Sequence, residues 1–175
     1  MYLTFMVMLF GDPISGKEDF VKRYMSVYFI EDLKLTIGVD FYTKTTFYKG
    51  KKYIIQLFDF NEKHLILKNL VLQYAKGSNG AIIMYDLANL ATLDRIPELV
   101  QLIRKERGDM PIFLIGNKSD LGESHKISKD EGFEISKKYN LSGYIEISTK
   151  TGQNIEKAFE MITEVIINSI KKKIC

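Results

Sequence analysis

The residues best suited to chemistry lie in short segments far apart in the chain. The first, GDPISGKEDF at 11–20, follows an apolar run and sets Gly11, four further residues and then Gly16-Lys17. Glycines at that spacing between a strand and a helix let backbone N–H groups wrap a phosphate at the positive end of the helix dipole. Lys17 adds a point charge for the outer phosphates. Pro13 removes one N–H, which leaves Ile14, Ser15, Gly16, Lys17 and Glu18 as donors, with Asp12 inside the loop. A loop of this kind should close on a Ser or Thr whose hydroxyl holds magnesium. Here the residue is Glu18.

A second constellation reads a base. IGNKSD at 115–120 ends an apolar run and supplies Asn117, Lys118 and Asp120. A carboxylate at Asp120 can accept from the N1–H and exocyclic amine of guanine, a donor pair that adenine lacks. Asn117 can tie neighbouring loops together, and the stem of Lys118 can lie along the base. EISTK at 146–150 ends another apolar run, so Ser148, Thr149 and Lys150 can close the pocket.

The elements that must position these groups alternate between apolar, β-branched runs and segments of helical period, the pattern of an α/β fold with a mostly parallel sheet. Strands are expected at 2–10, 80–87, 111–117 and 143–148. VDFYTKTTFY and KYIIQLFDF flank Lys49-Gly50-Lys51 and predict a hairpin, hence one antiparallel strand. Helices are expected from about Gly16 to Ser26, over 91–106 and 128–139, and from about Gln153. The last carries Ile155, Phe159, Ile162, Ile166 and Ile170 at spacings of three and four. About six strands and five helices result. Parallel sheets of this kind bind ligands at the carboxyl ends of their strands, where all three chemical segments fall. With no repeat, low-complexity tract or linker, residues 1–175 read as one domain.

In this order and spacing, the motifs resemble the Ras-superfamily small GTPases, and most of all the Rab branch, over essentially the whole chain. IGVDF and YAKGSNGAIIMYDL are the Rab-like stretches. The resemblance implies a P-loop fold binding GTP or GDP with magnesium, the phosphates held by Gly11 to Glu18. It makes Thr36, nineteen positions after Lys17, the γ-phosphate sensor, and Asp59 part of the metal site. It places Phe29 over the base and assigns guanine to Asn117, Lys118, Asp120 and Ser148 to Lys150. It also implies an activating protein and effectors at the switch I and hairpin surface, whereas the hairpin aromatics Phe41, Tyr42, Phe47, Tyr48 and Tyr53 read mostly as core or ordinary sheet surface, with a partner surface as the alternative.

Three departures bear on mechanism. Glu18 either ligates magnesium or turns away to pair with a lysine. The family's Asp-x-x-Gly-Gln after the third strand is replaced by DFNEKHLILK, and no Gly or Gln occurs from Asp59 through Val71. Either Glu62 or Lys63 stands nearest the missing glutamine, so no catalytic residue is assigned. Pro13 replaces a small residue near the γ-phosphate. Small-GTPase catalysis is mostly positioning and charge stabilisation and is slow without an added arginine. The expectation is therefore a GTP/GDP switch with weak intrinsic hydrolysis, the alternative being a pseudo-GTPase that holds nucleotide without turnover.

The bulk figures narrow the rest. A net charge of +3, from 25 basic and 22 acidic residues, gives no field for nucleic acid. The one cysteine, Cys175, allows no internal disulfide and suits a reducing compartment. No apolar run approaches the roughly 20 residues that span a bilayer. His64 and His125 are too few for a zinc site and should face solvent. Lys171-Lys172-Lys173 before Cys175 suits a solvated helix end or a basic, lipid-bearing tail. A cytoplasmic protein, peripheral at a membrane if that tail is used, is expected.

Overall fold

In the chain centre the residues sort onto two faces. Along β1 (Leu3–Gly11), Val7 and Leu9 join one core while Met8 and Phe10 join the other, as a pleat of period two demands. This computed structural model describes residues 3–27, 39–60 and 74–174. Phe29, Thr36, Glu62, Lys63, His64 and Cys175 lie outside the described residues.

The remaining strands are β2 (Ser26–Val27), β3 (Val39–Tyr48), β4 (Lys51–Phe60), β5 (Gly80–Asp86), β6 (Ile112–Asn117) and β7 (Gly143–Glu146). They form one sheet in the order β2-β3-β4-β1-β5-β6-β7. From β4 to β7 all neighbours are parallel, and β3 runs against β4. The six expected strands are all present. The two-residue β2, pairing Ser26 with Thr43, adds a short edge that no sequence pattern of that length could announce. Every residue of β5 and β6 is buried, which is why both read as unbroken apolar runs with no alternation.

The helices are α1 (Lys17–Tyr24), α2 (Ile96–Arg107), α3 (Lys129–Lys138) and α4 (Ile155–Ile174), with one further helical turn at 74–77. On one face, Phe20 and Val21 of α1 and Phe159, Ile162 and Ile166 of α4 pack on Leu9, Leu57, Met84 and Ile115. The rings of Phe20 and Phe159 stack at 5.3 Å. On the other face, Val100 and Ile103 of α2 pack on Phe10, Ile83 and Leu114. At the β3–β4 turn, Lys49 (φ +49°) and Gly50 (φ +73°) both adopt the left-handed conformation. That is the two-residue hairpin geometry that matches strand twist. Lys51, expected in the turn, is already in the strand and pairs with Tyr48. Tyr42, Tyr48 and Tyr53 are core residues, and Phe47 is 62% exposed.

In-register pairing puts Gly11 beside Met84 and Asp86 beside Asn117. The carboxyl ends of β1, β5 and β6 therefore form a single rim.

Candidate nucleotide-binding site

Beyond Gly11 the chain makes a short 3-10 turn (Pro13–Ser15) before α1. Asp12 builds that turn: its side chain accepts from the Ile14 N–H at 3.0 Å, and its carbonyl accepts from the Ser15 N–H at 2.9 Å. Two of the loop donors expected from the sequence are thus directed inward. Those left facing out come from Gly16 and the first turn of α1, whose N–H groups have no intrahelical acceptor. Gly16 stands at φ +88°, and a Cβ there would overlap the Asn117 amide nitrogen. A Cβ on Gly11 (φ +144°) would overlap the Met84 carbonyl oxygen. Ser15 Oγ is fully buried and has no hydrogen-bond partner among the described residues. An orphaned hydroxyl inside a cradle that no Cβ could enter fits a loop built around an oxygen-rich ligand.

Lys17 is 6% exposed. Its ammonium donates to Asp59 Oδ1 and to the Phe60 carbonyl, both at 2.9 Å. Burial pushes the Asp59 carboxyl above its ordinary value; Lys17 opposes this, while Asp40 and Glu18 add to it. Asp40 is the direct cross-strand partner of Asp59. The Tyr42 hydroxyl is raised to about 12, by burial first and then by the carboxylates of Asp40, Asp59 and Glu18. Among the described residues, Lys17 is the buried cation facing these carboxylates, and Lys22 is an exposed one beside Glu18 and Asp40. Magnesium is commonly held by one or two carboxylates with phosphate oxygens completing its shell. Asp59 fits that role, whereas Glu18 points away. The Glu18 carboxylate pairs with Lys22 one helical turn on, both side chains are exposed, and the hydrogen bond from Lys22 holds its acidity below the usual carboxylate range. Among the described residues no three His, Cys, Asp or Glu side chains assemble a metal cage.

On the base side Asn117, fully buried, is the hub. Its Nδ2 donates to the Ser15 carbonyl at 2.9 Å and to Thr149 Oγ1 at 3.2 Å, and its Oδ1 accepts from the Thr149 N–H at 3.1 Å. Asp120 accepts from Ser148 Oγ at 2.6 Å and faces the Lys150 ammonium at 3.9 Å. Lys118 takes a left-handed backbone (φ +70°), and its ammonium meets Asp86 at 2.6 Å. Asp86 itself is 4% exposed. His125, expected in solvent, is half-buried with Nε2 3.1 Å from the Lys118 carbonyl. Asn117, Lys118, Asp120 and Ser148 to Lys150 are thus brought together, and Asn117 joins them to the phosphate loop.

Sequence reasoning missed several residues. Arg23 and Tyr24 reach the Thr149 carbonyl at 3.2 and 2.9 Å. Phe58 and Tyr74 form a three-ring cluster with Phe41, with centroids 5.1 to 5.9 Å apart. The signal for this cluster was the aromatic content of the hairpin. Arg23 and Tyr24 gave none, because their targets are backbone carbonyls.

A parallel sheet with a glycine loop ending β1 and an Asn–Asp pair ending β6 defines a mononucleotide-binding α/β protein of the P-loop class. The Ras family model matches residues 6–168. The chain is also 32% identical over 170 residues to Ras-related protein Rab11C of Lotus japonicus, covering 97% of this chain and 78% of that relative. The chain belongs to the Ras family. Proteins of this family are small GTPases that bind GTP and GDP with magnesium and engage effectors and regulators.

Proposed function

We propose that residues 1–175 form one guanine-nucleotide-binding domain, a Rab-like switch whose own hydrolysis of GTP is slow. The observation carrying this reading is the Asn117 hub, which joins the phosphate loop to the base-closing loop through Ser15 and Thr149. It leaves the acceptor-only carboxylate of Asp120 beside Ser148, suited to the N1–H and exocyclic amine of guanine. Lys17 and the outward N–H groups from Gly16 to Glu18 hold the phosphates, and Asp59 faces the magnesium ion. The family resemblance assigns the base to Phe29 and the γ-phosphate to Thr36, both outside the described residues. With no Gly or Gln from Asp59 through Val71, the family's Asp-x-x-Gly-Gln does not supply a water-orienting glutamine, so turnover depends on a partner.

A second reading, a pseudo-GTPase used as a binding module, is favoured by the outward pairing of Glu18 with Lys22. Effectors meet the switch I and hairpin surface, where Phe41 and Tyr74 are half-buried over the buried Phe58 and Phe47 is exposed. Lys171 to Lys173 provide peripheral contact with an anionic membrane surface. No helix among the described residues is long and apolar enough to cross a membrane.

The test is to purify the protein, denature it and identify the released nucleotide by chromatography. GTP is then loaded and phosphate release followed with and without magnesium. GDP on purification plus slow, magnesium-dependent turnover supports the switch. Retained GTP without turnover supports the binding module, and an adenine nucleotide or an empty pocket defeats the guanine reading.

A further inference from the structure

Thr149 is held from both sides. Its N–H donates to Asn117 Oδ1, and its carbonyl accepts from the Tyr24 hydroxyl at 2.9 Å and from Arg23 Nη1 at 3.2 Å. Arg23 Nη1 also lies 3.5 Å from the Lys150 carbonyl. Just beyond, Gly152 (φ +84°) donates back to the Ser148 carbonyl at 2.8 Å and passes over the Tyr24 ring, where a Cβ would come within 3.4 Å of the hydroxyl. Arg23 and Tyr24 close the same helix that Lys17 opens. At a rise of 1.5 Å per residue its two ends lie about 10 Å apart. One short rod thus presents the phosphate lysine at one end and grips the base-closing loop with the other.

We propose that Arg23 and Tyr24 are positioning residues of the guanine pocket, holding the Ser148–Lys150 loop shut by its carbonyls and so setting how long a bound nucleotide stays. This rests on the guanine-nucleotide reading above. A nucleotide enclosed by that loop leaves only after the loop swings out, and swinging out breaks these bonds. They re-form after a new nucleotide has docked, so they slow release without changing capture.

The test is stopped-flow release and capture of a ribose-labelled fluorescent GDP by the full chain in magnesium buffer, with urea unfolding in parallel. Tyr24→Phe keeps the ring and deletes only the hydroxyl. It should speed release about five- to tenfold, the worth of one neutral hydrogen bond, with capture changed less than about twofold. Arg23→Ala should speed release about two- to threefold, because its guanidinium is exposed and screened, and Arg23→Lys should recover part of that. Unchanged release in both Tyr24→Phe and Arg23→Ala overturns the proposal, as does a lowered urea midpoint with unaltered release, which marks a merely structural contact. A wild-type chain that takes up no GDP overturns the guanine reading itself and this inference with it.

Discussion

Phosphate bound as proposed would compete with Asp59 for one ammonium, and that competition has a measurable sign. Lys17 is buried against the Asp59 carboxylate and the Phe60 carbonyl at 2.9 Å each. Any phosphate that engages Lys17 must draw it from that carboxylate. A charge-assisted hydrogen bond contributes about 1.5–3 kcal/mol. Because burial raises the Asp59 carboxyl despite its partner, the ion pair is under-compensated and the lower half of that range applies. Asp59→Asn keeps an acceptor oxygen but removes the charge. In buffer with a chelator, it should tighten GDP binding by about 1.5–2 kcal/mol, roughly ten- to thirtyfold. With millimolar magnesium the same substitution removes the carboxylate proposed to face the metal, and affinity should fall below that of the unchanged protein. Equilibrium titration of fluorescent GDP in both buffers checks this. A shift of the same sign in both, in either direction, would refute the reasoning.

Glu18→Ser removes an exposed ion pair of small energetic weight and restores a hydroxyl at the phosphate loop. Nucleotide release should then depend more strongly on magnesium, and identical magnesium titrations would count against any role for position 18 at the metal. Gly132→Ala places a methyl group against the Tyr144 hydroxyl. The ring must shift, breaking its bonds to Tyr85 (2.8 Å) and Glu146 (2.9 Å), and stability should fall by about 2–4 kcal/mol in urea unfolding, well beyond the gain in helix propensity. Glu131 closes a capping box with Ser128 at the start of α3, and the Ser128 backbone and side-chain bonds lower its pKa. A depressed carboxylate contributes stability above its unfolded pKa and loses it as pH falls through the folded one. The urea midpoint should therefore decline as pH drops from about 5 towards 3, and Glu131→Gln should flatten that decline.

How legible all this was depends on the kind of contact. β5 and β6 announce themselves because burial on both faces leaves only apolar residues. Gly16 and Gly50 mark positive φ, where other residues are strained. The left-handed backbone of Asn154 is one asparagine tolerates well, but that of Lys118 carries no such mark, since the tertiary bonds around it impose the conformation. The Glu18–Lys22 pair was readable as an i,i+4 helix contact, and Asp12 before Pro13 as a turn-capping aspartate. The Lys17–Asp59 pair was not. Each residue stood in a recognised motif, but which partner a lysine selects depends on the parallel register of β1 with β4. Contacts to backbone, such as Tyr24 on Thr149, leave no trace in the target's side chain.

That last category has a consequence for how the molecule can diverge. Of the bonds joining α1, the phosphate loop and the base-closing loop, all but the one from Asn117 to Thr149 Oγ1 engage backbone of these loops: the carbonyls of Ser15, Thr149 and Lys150 and the Thr149 N–H. A carbonyl is the same whatever side chain stands beside it. Substitutions at positions 18, 59 and 60, whose side chains make none of these bonds, therefore leave the joints intact, and the phosphate end can drift while the base end keeps its shape. The two halves behave as separable modules under mutation. A chain so divided can vary at its phosphate end without disturbing the joints at the other, and Asn117 marks the seam between them.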